Sequence, residues 1–118
     1  MFINFTNHPS SLWDEAQTQA AKAFGTVLDI PFPALAPNLT AEQIVALGDT
    51  FVTDIISHHP AAVLCQGEFT LAFYVASKLK KQGITVLAAC SERDTIMVGN
   101  EKRSIFKFVQ FREYVISL

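Results

Sequence analysis

The chain has 118 residues, half of them hydrophobic, with nine Lys and Arg against eleven Asp and Glu and a formal net charge of -2. That length is enough for one hydrophobic core and one domain, residues 1-118, and too short for two ordinary ones. The acidic balance excludes a broad basic face for duplex DNA or RNA, which needs clustered Lys and Arg to neutralise phosphate, but leaves a small anionic ligand open.

No stretch approaches the roughly 20 apolar residues of a membrane span, and the first residues lack the basic region and long apolar run of a signal peptide. The expected setting is therefore the cytoplasm, with no membrane partner. Cys65 and Cys90 each close an apolar run, which reads as buried small thiols rather than a disulfide framework.

Phe2 to Phe5 is a short apolar run broken by Asn7-His-Pro-Ser-Ser11, and predicts strand one. Ser11 stands three residues before Asp14 in an approximate capping box, with Ser11 the expected cap. Trp13, Ala16, Ala20 and Phe24 follow at helical spacing up to Gly25. Thr26 to Ile30 predicts strand two, which Pro31, Pro33 and Pro37 carry into a stiff connection.

Thr40-Ala-Glu-Gln43 is a fuller capping box, and Ile44, Leu47, Phe51 and Ile55 mark one apolar face of a second helix. Ala61 to Cys65 predicts strand three, and Thr70 to Gln82 a third helix with Lys78, Lys80 and Lys81 at its negative end and Gly83 as its stop. Ile84 to Ala89 predicts strand four. Thr95 to Val98 and Ile105 to Phe111 then predict a separate hairpin about Gly99-Asn100.

The alternation of strands and helices predicts an α/β fold: a Rossmann-like domain with a parallel four-stranded sheet, covered by helices, and an antiparallel hairpin on its edge. With the order 2-1-3-4, the loops after strands one, three and four meet where ligands bind in open sheets. Those loops carry Asn7, His8, Ser10 and Ser11; Gln66, Gly67, Glu68, Phe69 and Thr70; and Ser91, Glu92 and Arg93.

Each candidate has a plain structural alternative. Gly67 at a strand-to-helix junction can admit a phosphate to the free N-H groups of the third helix, or can simply serve a tight turn. Glu68 would occupy that same positive helix end, cap it, or meet ribose hydroxyls. His8 is the residue suited to proton transfer near neutral pH, or a loop histidine bonded to backbone.

Arg93 can clamp a phosphate or pair with Glu92 or Asp94. Cys90 and Arg93 do not make a phosphatase loop, which needs five residues between them. His58 and His59, about 100° apart on a helix, lack ligand partners beside them and suit the end of the second helix. Phe106, Phe108, Phe111 and Tyr114 fit core or dimer packing better than base stacking.

In size, element order and the polar motifs Asn7-His-Pro-Ser10, Gln66-Gly-Glu-Phe-Thr70 and Ser91-Glu-Arg93, the chain resembles the small stand-alone ring nucleases of the CRISPR-associated Rossmann-fold (CARF) family. The resemblance implies a homodimer that binds a cyclic oligoadenylate, such as cyclic tetra-adenylate, across its two-fold axis. It also implies metal-independent, cofactor-free cleavage by 2'-hydroxyl attack, leaving a 2',3'-cyclic phosphate in type III CRISPR antiviral signalling.

On this resemblance Gln66, Gly67 and Thr70 bind the ring, Arg93 stabilises phosphate, and His8 or Ser10 assists transfer. Many family members place a lysine in these loops, and none of this chain's lysines falls there. The alternative expectation is a non-catalytic sensor or binding module for a nucleotide messenger.

Overall fold

The computed structural model describes residues 1-116. Its elements run β1 (Phe2–Phe5), a 3-10 turn (Ser10–Leu12), α1 (Glu15–Lys22), β2 (Val27–Asp29), α2 (Ala41–Ser57), β3 (Ala62–Cys65), α3 (Phe69–Lys81), β4 (Thr85–Val98) and β5 (Glu101–Glu113). They form one five-stranded sheet in the order β2-β1-β3-β4-β5, parallel from β2 to β4, with β5 antiparallel to β4.

Every residue of β1 and β3 is buried, because helices cover both faces. Phe2, Leu64 and Leu87 point towards α1 and pack with Trp13 and Ala21. Ile3, Phe5, Val63, Cys65 and Val86 point the other way, into the apolar faces of α2 and α3 through Ile44, Ile55, Leu71, Val75 and Leu79. The strict alternation along β1 and β3 between two filled faces explains their unbroken apolar runs.

The start of α2 follows the capping-box expectation: Thr40 Oγ1 accepts from Gln43 N-H, and Gln43 Oε1 accepts from Thr40 N-H. At α1 the cap is one turn later than Ser11. Ser11 lies in the 3-10 turn, and Asp14 caps α1 by accepting from Gln17 N-H at 2.8 Å. The short turn satisfies its own backbone, with Leu12 N-H donating to Pro9 O and Trp13 N-H to Ser10 O, so the helix cannot begin until Asp14.

The sheet is mixed rather than a parallel four-stranded core bearing a separate hairpin. β4 does not end at Ala89; it continues through Ser91, Glu92 and Arg93 to Val98, turns at Gly99-Asn100 with Gly99 at φ 62°, and returns as β5. Pairing with β3 ends at Leu87, so the remainder of β4 is held by β5. A β-bulge at Val109, between the pairs Cys90-Gln110 and Ser91-Phe108, bends this ribbon. It turns Phe108 N-H onto Asp14 Oδ2 at 3.1 Å, tying the ribbon to the start of α1.

Beyond that tie the ribbon stands clear of the body. The radius of gyration is 15.7 Å, against about 13.5 Å for a compact chain of this length. No helix among the described residues is long and apolar enough to cross a membrane.

Candidate functional site

The strand order reverses between β1 and β3: the chain leaves β1 for β2 on one side and returns past β1 to β3 on the other. In an open α/β sheet the carboxyl ends of the two strands at such a reversal leave a crevice between loops that diverge. Here the loops are residues 6-9 after β1 and 66-68 after β3.

A polar network holds the first loop. Asn4, 1% exposed within an otherwise apolar strand, donates from Nδ2 to His8 O and to Asp29 Oδ1, both at 2.9 Å. Thr6 Oγ1 donates to Asn4 Oδ1 at 2.8 Å and accepts from His8 N-H. The Asp29 carboxylate, at the end of β2, accepts from Ser10 N-H and from Ser10 Oγ at 3.1 Å. The backbone from Thr6 to Ser10 is thereby fixed, while Asn7 and His8 are exposed above it and the His8 imidazole makes no hydrogen bond among the described residues.

The third loop is also committed internally. Gln66 Oε1 accepts from Ala89 N-H at 2.9 Å, closing the gap between β3 and β4 where their ladder stops and leaving the Gln66 amide nitrogen as a donor. Glu68 is the N-cap of α3: its carboxylate accepts from Thr70 N-H at 2.9 Å and Leu71 N-H at 3.0 Å, and from the Thr70 hydroxyl. The Thr70 hydroxyl and the two backbone donors hold the Glu68 carboxyl below its ordinary range.

The capping reading of Glu68 is therefore the one the geometry supports, and the helix end that could have received a phosphate already holds a carboxylate. Gly67 is required by packing rather than by the turn's backbone conformation: a Cβ there would lie 2.5 Å from the Phe32 ring, which lies over it from the proline-rich connection. Phe69 is 88% exposed.

Ser91, Glu92 and Arg93 do not join this crevice as a third loop. They are strand residues of the ribbon, where Glu92 lies opposite Lys107 and Arg93 opposite Phe106. The guanidinium donates from Nε and Nη2 to Ser104 Oγ at 3.1 and 2.9 Å. At about 3.3 Å per residue, Arg93 lies roughly 13 Å along the strand from Ala89, beside Gln66. The expected ion pairs of Arg93 with Glu92 or Asp94 are replaced by this cross-strand bond, and Asp94 pairs with Lys107 instead.

At the end of β3, Tyr114 donates from its hydroxyl to Cys65 O at 2.7 Å, and burial raises the Tyr114 phenol. Burial also pushes the Cys65 thiol up to about 12, so it is a packing group rather than a nucleophile. His58 caps the end of α2 with Nε2 3.4 Å from Asp54 Oδ1. Among the described residues no cluster of His, Cys, Asp and Glu has the makings of a metal site.

The sequence reading missed Asn4, Thr6 and Asp29. The available signal was Asn4 itself, an amide between Ile3 and Phe5 where both faces of the strand must be buried and any polar group must find partners.

The fold thus defines an open α/β protein with two polar loops at a strand-order reversal. The chain belongs to the Uncharacterized protein MJ1673 family, whose sequence model matches residues 1–112. No curated protein matches it.

Proposed function

We propose that this chain is a binding module for a nucleotide messenger, with a cyclic oligoadenylate as its ligand in the β1/β3 crevice. The observation that carries the reading is the placement of two polar loops at the one point where the strand order reverses. Asn7, His8 and the Gln66 amide offer donors and acceptors suited to base edges and ribose hydroxyls.

Binding is favoured over cleavage because Arg93, the cation that the resemblance assigns to phosphate, is on the ribbon, and because Glu68 already occupies the α3 N-terminus. A Rossmann-like, CARF-type homodimer taking the ring across its axis completes this proposal. The ring-nuclease reading is kept as the second one on a single observation: the exposed His8 imidazole, unengaged among the described residues, stands on a loop whose backbone is fixed.

Both readings are tested by mixing the protein with cyclic tetra-adenylate in the presence of EDTA and following calorimetric binding and linear products together. Binding without product supports the module. Product that falls by roughly 100-fold in His8→Ala supports the nuclease with His8 as acid or base. Absence of binding overturns both.

A further inference from the structure

The outer part of the β4-β5 ribbon carries a surface that the loops after β1 and β3 do not use. Residues directly opposite each other in an antiparallel pair share a face, and the faces alternate along each strand. Glu92-Lys107, Asp94-Ile105, Ile96-Arg103 and Val98-Glu101 therefore make one face, and Ser91-Phe108, Arg93-Phe106, Thr95-Ser104 and Met97-Lys102 the other. The side-chain contacts respect this division. Lys107 reaches Asp94 at 3.4 Å and Arg103 reaches Glu101 at 3.8 Å on the first face, and Arg93 reaches Ser104 on the second.

The two faces differ in charge. Glu92, Asp94 and Glu101, the carboxylates between Ser91 and Phe108, are all on the first face, where Asp94 and Glu101 are paired. The second face has none. It carries Arg93 and Lys102, neither of which pairs with a carboxylate among the described residues.

Between these cations stands Phe106, 69% exposed rather than packed in a core, with the half-buried Phe108 and the hydroxyls of Ser91, Thr95 and Ser104 on the same side. Asp14 lies at the inner end of this face, but its two oxygens are turned to the backbone N-H groups of Gln17 and Phe108.

We propose that this second face binds single-stranded nucleic acid. Bases of an open strand stack on exposed aromatic rings while its phosphates meet Arg and Lys, and that pairing of groups is what the face presents. The hydroxyls between them suit sugar and phosphate oxygens, whereas a lipid surface would require apolar side chains there. A duplex would need a broad basic surface, which the acidic first face denies it.

The six residue steps from Ser91 to Met97 cover roughly 20 Å, a line along which an open strand can extend and a closed ring of four nucleotides cannot. The face is thus separate from the proposed messenger site, and either can fail without the other.

The test is fluorescence anisotropy of a labelled eight-residue oligothymidylate, with the amide spectrum of the ¹⁵N-labelled full chain followed in parallel. The expected result is binding that shifts residues 91-108 and weakens with salt at a log-log slope of about -1.4, for two phosphate contacts. Phe106→Ala should weaken binding at least about five-fold, and Phe106→Tyr, which keeps the ring, should restore it.

Lys102→Ala and Arg103→Ala remove the same charge from adjacent positions on opposite faces. Only Lys102→Ala should lower the salt slope, by about 0.7. No binding at millimolar oligonucleotide overturns the proposal, as do equal effects of these two variants or shifts at residues 7-10 and 66-68 in place of the ribbon. Binding to phosphatidylglycerol vesicles without binding to the oligonucleotide overturns it as well.

Discussion

The strands β1 and β3 and the outer half of β4 show how differently the same sheet can be held. β1 and β3 are four residues each, buried throughout and followed by short polar loops. The outer part of β4 is exposed on both faces and is supported by the two-residue turn and by β5, which Phe108 N-H ties to Asp14. The first kind of strand is stabilised by burial of side chains on two filled faces; the second by cross-strand pairs, each contributing only a few tenths of a kcal/mol to about 1 kcal/mol.

That contrast predicts a steep gradient of mutational effect. The largest belongs to the body: Phe5 is fully buried, stacked between Phe32 and Phe51 at centroid distances of 4.9 and 4.8 Å. Phe5→Ala is expected to cost about 3–5 kcal/mol in urea unfolding, and a loss under 1 kcal/mol would mean that the core is not organised around β1.

Next comes the polar network. Asn4→Ala strips Asp29, Thr6 and His8 O of their shared partner and is expected to cost about 1–3 kcal/mol, with faster amide exchange at residues 7-10 than elsewhere at the sheet end. Unchanged exchange there would show that Asn4 does not hold the loop.

Shortening the ribbon, by joining Glu92 to Lys107 through Asn-Gly, is expected to shift stability by no more than about 0.5 kcal/mol. A large loss would show the ribbon to be part of the core.

The smallest effect is the tie at Asp14. Gln17 N-H and Phe108 N-H hold its carboxyl below the usual 3.8, so the stabilisation is present above the unfolded-state value and is lost as pH falls through the lower folded-state value. Asp14→Asn should therefore flatten the acid limb of the stability curve below about pH 4, seen by thermal melts; parallel curves for the two proteins would show that the Asp14 carboxylate is not held by these two donors.

The same contrast explains what could be read in advance. The elements of the body were legible because both of their signals agree: unbroken apolar runs for strands buried on two faces, and the Thr40-Gln43 box with an apolar stripe for α2. Ser91-Glu-Arg93 was not, because a ribbon wet on both sides needs no apolar run, and its polar residues imitate a loop. Glu68 was legible as a candidate cap but not as the one used, since a carboxylate before a helix fits a cap or a ligand contact equally well until Thr70 and Leu71 are seen to donate to it. Asp29 had no local signal at all; its importance comes from the parallel register Asn4-Asp29 that only the sheet creates.

The central claim is that the ligand site lies between the β1 and β3 loops and not on the ribbon. The direct measurement is a titration of the amide spectrum of the ¹⁵N-labelled protein with cyclic tetra-adenylate in EDTA. The account predicts saturable shifts at residues 7-10 and 66-68 with none at 93-104; shifts confined to the ribbon, or none anywhere, would contradict it.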